Sequence, residues 1–169
     1  MRRTNLKIYH GSTVIVREPD IEILNFKTDF GKGFYTTSDY EQAKRWVEIK
    51  IGRLKESNIK LGYINVYEYV ENEKLKILNF GEATEEWLDF VFANRFSNKL
   101  YHTYDIVKGP VANDNLYGTL KLYERKLIDK ESTLKRLKAY KLVNQISFHT
   151  EKSLKQLKYI GTEEVKYNG

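Results

Sequence analysis

The chain has 169 residues, 41% hydrophobic and 31% charged, with 29 Lys plus Arg against 23 Asp plus Glu and a formal net charge of +6. This length suits one domain over residues 1–169, and the apolar content is too high for a disordered tail. Cysteine is absent, which excludes disulfides, thiolate chemistry and sulfur-held zinc, and no apolar run approaches the roughly 20 residues of a membrane span.

No apolar signal-peptide core follows Met1-Arg2-Arg3, so the expectation is a cytoplasmic protein that does not associate with membranes. The positive charge is compatible with a nucleotide, a nucleic acid or an acidic protein, but it is spread along the chain without a basic block. Tyrosine, at 13 residues, is common enough to offer stacking surfaces, although most tyrosines are expected in strands and core.

The elements follow in chain order. "NLKIYH" alternates so that Leu6, Ile8 and His10 share one face, predicting a short strand that ends in "HGS". Residues 11–33 are polar and broken by Pro19-Asp20 and Gly31-Lys32-Gly33, predicting a long loop of the kind that often carries function. Ser38 with Glu41 fits a capping box, and Tyr40, Ala43, Val47, Ile51 and Leu54 then recur at helical spacing as a core stripe beside Trp46.

"GYINVYEYV" reads as a strand, and Thr84 caps a helix "EEWLDFVFANR" that buries Trp87, Phe90 and Val91 and ends at Asn94-Arg95. "YDIVKGPVANDN" reads as a strand running into a loop with Asn113 and Asp114, followed by helices over about 116–128 and 132–142. "NQISFHT" is a strand with Ile146 and Phe148 on one face and Gln145, Ser147 and His149 on the other, so Gln145 faces a cleft or solvent if the apolar pair faces the core. A turn begun by Thr150 leads to the last strand, "LKYIGTEEVKY". Strands and helices mix without a βαβ regularity, so the class is α+β.

His10, His102 and His149 lack metal-ligand spacing, and no metal is expected. "GKGFYTT" holds a Gly-x-Gly but not the third glycine of a dinucleotide fingerprint, nor a lysine placed as in a P-loop. What remains is a constellation: His10-Gly11-Ser12, Gly31-Lys32-Gly33-Phe34-Tyr35, and Gln145-Ile146-Ser147-Phe148. Taken singly, each has a bland explanation as a satisfied strand histidine, a helix staple or a solvated strand residue.

In that order, "YHGS", "DFGKGFYTT…QAKRW" and "QISF" resemble the three signature segments of ADP-ribosyltransferases of the diphtheria-toxin and poly(ADP-ribose) polymerase type. A closer resemblance, over about residues 6–160, is to a bacterial family of uncharacterised domains related to these transferases, through "FGKGFYTT", "WLDFVFANR", "DIVKGPVAND" and "QISFHT". The resemblance implies split, mainly antiparallel sheets with flanking helices. It also implies NAD as co-substrate, and a macromolecular acceptor that is protein ahead of nucleic acid. A toxin-type or regulatory role with a small antitoxin-like partner protein is implied as well.

Carried over by position, His10 would bond an adenosine ribose hydroxyl, the Gly11 backbone would hold the carboxamide, and Ser12 would add a ribose contact. Tyr35 would stack on nicotinamide, Gly31 and Gly33 would let the backbone approach the ligand, and Gly33 and Phe34 belong to the same binding segment. Apart from the carry-over, Arg95 and Asn94 at a helix end would reach a phosphate or the substrate, or take part in a surface or interhelical ion pair. The third position, normally Glu, is Gln145, which can hydrogen-bond but carries no charge and is no general base. Turnover would then draw on the acceptor's own nucleophilicity or on another carboxylate, with Asp114, Glu163 and Glu164 as candidates. The rival is a catalytically weak NAD- or nucleotide-binding or interaction module.

Overall fold

A computed structural model describes residues 5–21, 28–54, 58–96, 102–112, 114–138 and 143–167. The strands are β1 (Asn5–Ser12), β2 (Phe34–Thr36), β3 (Leu61–Val70), β4 (Ile77–Asn79), β5 (Ile106–Pro110), β6 (Asn144–Phe148) and β7 (Leu157–Lys166). The helices are α1 (Tyr40–Arg53), α2 (Glu85–Phe96), α3 (Asp114–Glu124), α4 (Lys130–Lys138) and α5 (Glu151–Leu154). The mixed α+β class expected from the sequence is the one observed.

The strands form two sheets. One has the order β1-β3-β7 and is antiparallel throughout; the other has the order β2-β6-β5-β4, with only β4 and β5 parallel. The sheets adjoin at β1 and β2, where Tyr9 and Thr37 exchange backbone hydrogen bonds of 2.8 and 2.9 Å.

Strand alternation distributes the apolar residues into three clusters. Ile8, Tyr67 and Tyr69 of the first sheet meet Phe34, Ile106, Ile146 and Phe148 of the second in a core between the sheets. On the outer face of the first sheet, Ala43, Val47 and Ile51 of α1 pack on Ile64 and Val165. On the far face of the second sheet, Trp87, Leu88, Val91, Leu120 and Leu137 from α2, α3 and α4 pack on Val107, with Phe30 among them. The second sheet is therefore buried on both faces, and its strands read as runs of buried residues rather than as alternation.

Several local expectations need correction. Asp39 caps α1, not Ser38: its side chain accepts from the Gln42 amide at 2.8 Å. The core stripe of α1 is limited to its middle, because Tyr40 and Leu54 at its two ends are exposed where the helix runs past the sheet. Residues 77–79 form a strand that was not foreseen, since three residues in a parallel pair give no readable alternation. The two helices expected over 116–128 and 132–142 start earlier, at Asp114 and Lys130. Asp129, accepting from the Ser132 amide at 2.7 Å, starts the second, and residues 139–142 lie outside the described residues. Thr84 caps α2 as expected, accepting from the Trp87 amide at 3.2 Å.

The seat of α1 depends on two glycines. A Cβ on Gly11 would collide with the Ala43 carbonyl oxygen, and one on Gly62 with the Val47 side chain. Backbone cannot yield as a side-chain tip can, so Gly11→Ala should destabilise the fold by about 3 kcal/mol. Gly118→Ala, in α3 with open space around it, should stabilise by roughly 0.5–1 kcal/mol through helix propensity. Urea denaturation of both variants checks the contrast.

Candidate functional site

The three motif segments are neighbours in space. β1 adjoins β2 at the Tyr9–Thr37 bridge, and β2 pairs antiparallel with β6 through Phe34 with Phe148, Tyr35 with Ser147, and Thr36 with Ile146. His10 is buried, and its Nδ1–H donates to the Tyr35 carbonyl at 2.7 Å. Burial first, and then the charge of Lys50, hold the His10 imidazole well below its ordinary value of 6.5, against the pull of that hydrogen bond. His10 is therefore neutral at physiological pH.

Alternation along β2 nevertheless divides the predicted residues between two layers. The Phe34 ring stacks on His10 with centroids 4.1 Å apart and meets Tyr67 edge-on, deep in the core between the sheets. Ser12 is buried on the same face of β1, where its hydroxyl oxygen accepts from the Val14 amide at 3.3 Å. The Gly11 carbonyl accepts from Lys50 Nζ at 2.7 Å. Tyr35 points the other way, toward the cluster under α2, and Gln145 and Ser147 share that face.

Gln145 does not face open solvent, one of the two outcomes the alternation had suggested; it is 3% exposed. The reason is the helical layer over the second sheet, which buries the face that would otherwise be wet. Its Nε2 donates to Asp29 Oδ2 at 2.7 Å and to the Pro110 carbonyl at 3.3 Å. Asp29 is itself buried and also accepts from the Ala112 amide at 2.9 Å and from Arg95 Nε at 2.6 Å. Arg95 reaches the Ala112 carbonyl as well, at 3.1 Å. Arg95 thus forms an ion pair, but with a buried aspartate of the glycine loop and not across the surface or between helices.

The loop over residues 28–33 is held by side chains along its length. The Tyr35 hydroxyl donates to the Gly31 carbonyl at 2.5 Å and accepts from the Phe30 amide at 3.0 Å. Burial above all raises the Tyr35 phenol, so it stays a donor. His102 Nε2–H donates to the Phe30 carbonyl at 2.8 Å while its Nδ1 accepts from the Tyr104 amide, which fixes one neutral tautomer. His149 Nδ1–H donates to the Lys32 carbonyl at 2.7 Å, so its Nε2 accepts from the Ser147 hydroxyl, also at 2.7 Å. Ser147 has one proton, which then goes to the imidazole rather than to the Val107 carbonyl at 3.2 Å.

The glycines serve this packing. Gly31 has φ +87°, a left-handed conformation, and a Cβ there would lie 2.9 Å from Asn94 Oδ1; one on Gly33 would lie 2.7 Å from His149 Nδ1. What the backbone approaches at these positions is protein.

Asp29 and the pair His102 and His149 were not singled out as site residues by sequence reasoning. Nothing in their local patterns marks them, because what joins them is the path of the loop. The carboxylates proposed instead lie elsewhere: Glu163 and Glu164 are exposed on β7 of the other sheet, paired with Ile64 and Tyr63. Asp114 opens α3, and Asn113 lies outside the described residues. Among the described residues no three His, Asp or Glu side chains converge to hold a metal ion.

Two predictions follow from this electrostatics. Burial pushes His149 down to about 4 and lowers His102 and His10 as well, whereas an unfolded histidine titrates near 6.5. A depressed folded value means stability that is complete above about pH 6.5 and lost as pH falls toward 4, because the unfolded chain takes up the protons. The urea midpoint should therefore drop over that window, and His149→Gln should flatten the drop. Second, Gln145→Glu would set a carboxylate against two acceptors, Asp29 Oδ2 and the Pro110 carbonyl. The glutamate should hold its proton in the fold, so this variant should lose stability relative to the parent as pH rises from 5 to 8, measured by paired denaturation curves.

Residues 6–159 match the model of the family described as "Protein of unknown function (DUF3990)", and the chain belongs to that family. No curated protein matches the chain.

Proposed function

We propose that this protein, a member of that family, binds NAD where β1, β2 and β6 adjoin and transfers ADP-ribose to a macromolecular acceptor. The observation that carries the reading is the convergence of three sequence segments on three neighbouring strands. The His10, Tyr35 and Gln145 segments, far apart in the chain, are joined by the Tyr9–Thr37 bridge and by the pairing of β2 with β6. The order of the motifs in the resemblance thus has a spatial counterpart.

In the proposed reaction the glycosidic bond to nicotinamide breaks, the nicotinamide leaves with the bonding electrons, and a nucleophile of the acceptor attacks the cationic ribosyl carbon and gives up its proton. His10 suits a ribose hydroxyl because it is a neutral imidazole in a fixed orientation. Tyr35 suits the aromatic end, since its hydroxyl is anchored to Phe30 and Gly31 and its ring is only partly buried. Arg95 lies beside the same cluster and brings positive charge. Protein remains the preferred acceptor and nucleic acid the second, with a toxin-type role and a small antitoxin-like partner as the wider setting.

A second reading draws on a specific observation. The Gln145 amide is already bonded to Asp29, and the carbonyls of Phe30, Gly31 and Lys32 are taken by His102, Tyr35 and His149. That arrangement favours a module that binds NAD or a related nucleotide with little turnover.

Purified protein incubated with labelled NAD and cell lysate distinguishes the readings. The transferase should release nicotinamide and label an acceptor, and Tyr35→Ala should lower both by at least about a hundredfold while Tyr40→Phe stays within about twofold. NAD binding by calorimetry without either product would select the second reading, and no binding at all would end both.

A further inference from the structure

The amide of Gln145 has a defined sense. Asp29 Oδ2 and the Pro110 carbonyl are both acceptors, at 2.7 and 3.3 Å, so the atom between them has to be Nε2 with its two hydrogens. Oε1 is then the part of the side chain left to accept a hydrogen bond. The partner of Nε2 is also a charge: Asp29 is 5% exposed and ionically paired to Arg95 at 2.6 Å. An amide that donates to a buried carboxylate makes a charge-assisted bond, and polarisation along the amide makes its oxygen a stronger acceptor.

Building on the reading of the site given above, we propose that Asp29 is a positioning residue that fixes Gln145 with its oxygen presented and made electron-rich, so that the acid–amide pair takes the place of a single glutamate. The negative charge of the site stands one residue back from the ligand, on the loop that precedes Gly31, and reaches it through the Gln145 amide. The geometry fits this role better than direct contact. The oxygens of Asp29 are already engaged by Arg95 Nε, the Ala112 amide and Gln145 Nε2. A carboxylate surrounded in this way orients and polarises a neighbour rather than taking up a proton from a substrate. The arrangement also accounts for glutamine at this position: beside Asp29, a donor is required on the side chain of residue 145.

The test uses the full chain with ¹⁵N-labelled glutamine and the variant Asp29→Asn. In the parent, the Gln145 side-chain hydrogens should resonate downfield of free amide hydrogens and exchange slowly with solvent. In D29N, one of them should return toward the free position while the fold persists by circular dichroism. For nicotinamide release from NAD, D29N should lower kcat by about tenfold or more with KM within about twofold, since orientation rather than binding is lost. Asp29→Glu should not restore the rate, because a longer arm misplaces the carboxylate. A Gln145 amide with free-amide shift and exchange in the parent would overturn the proposal, and that measurement decides it even if D29N fails to fold. An equal kcat in D29N and parent would overturn it too. If the parent releases no nicotinamide, the transferase reading fails on its own, and the amide spectra still decide whether Asp29 orients Gln145.

Discussion

A carboxylate taken out of water has to be met by donors, and Asp29 imposes that requirement on much of this molecule. It is buried, and its partners come from α2 through Arg95, from the segment after β5 through Ala112, and from β6 through Gln145. Four separate parts of the chain, counting the loop that carries Asp29, are thereby fixed around one charge. Of these partners only Arg95 carries charge, and removing one member of a buried ion pair typically costs about 3–5 kcal/mol. The loop position relative to Tyr35 is a consequence of this constraint.

Beyond Asp29 the loop has its own problem, since an irregular segment laid on a protein core must satisfy its backbone without a ladder. Three consecutive carbonyls, those of Phe30, Gly31 and Lys32, accept from His102, Tyr35 and His149 respectively. Thr28 adds a second donor to Gly31 at 2.6 Å. Each histidine can donate to its carbonyl and accept from its other partner only in one neutral tautomer. Loop shape and proton placement are therefore a single property; burial lowers both histidines, and the bonds to the Phe30 and Lys32 carbonyls pull the other way. The rings of His102 and His149 stand edge to face with centroids 4.4 Å apart, close enough that charge on one opposes charge on the other.

Much of the fold was legible because it rests on local pattern. The strand "GYINVYEYV" carries β-branched and aromatic residues and is observed as β3, and Thr84 and Thr150 cap the helices they were expected to begin. Legibility failed where a tertiary layer overrode the pattern. Gln145 and Ser147 alternate with apolar neighbours as a wet face would, and only the packing of α2, α3 and α4 on that face explains their burial. Likewise Ser38 and Glu41 made a plausible capping box, but Asp39 stands one residue nearer and offers a carboxylate oxygen to the Gln42 amide. The candidate site shows the same division. His10, Tyr35 and Gln145 were singled out through the resemblance of their segments to a known family, whereas Asp29, His102 and His149 enter through the path of a loop that no periodicity describes.

The geometry of the seam also divides the candidate residues between two layers. His10 and Tyr35 share a hydrogen bond, yet the imidazole lies with Phe34 between the sheets and the phenol ring lies under α2. Strand alternation makes this unavoidable, since Phe34 and Tyr35 are adjacent and must point to opposite faces. The two candidate residues are thus held close along the backbone and kept apart by the sheet: His10 belongs with the core between the sheets, and Tyr35 with the helical layer that also covers Gln145 and Ser147.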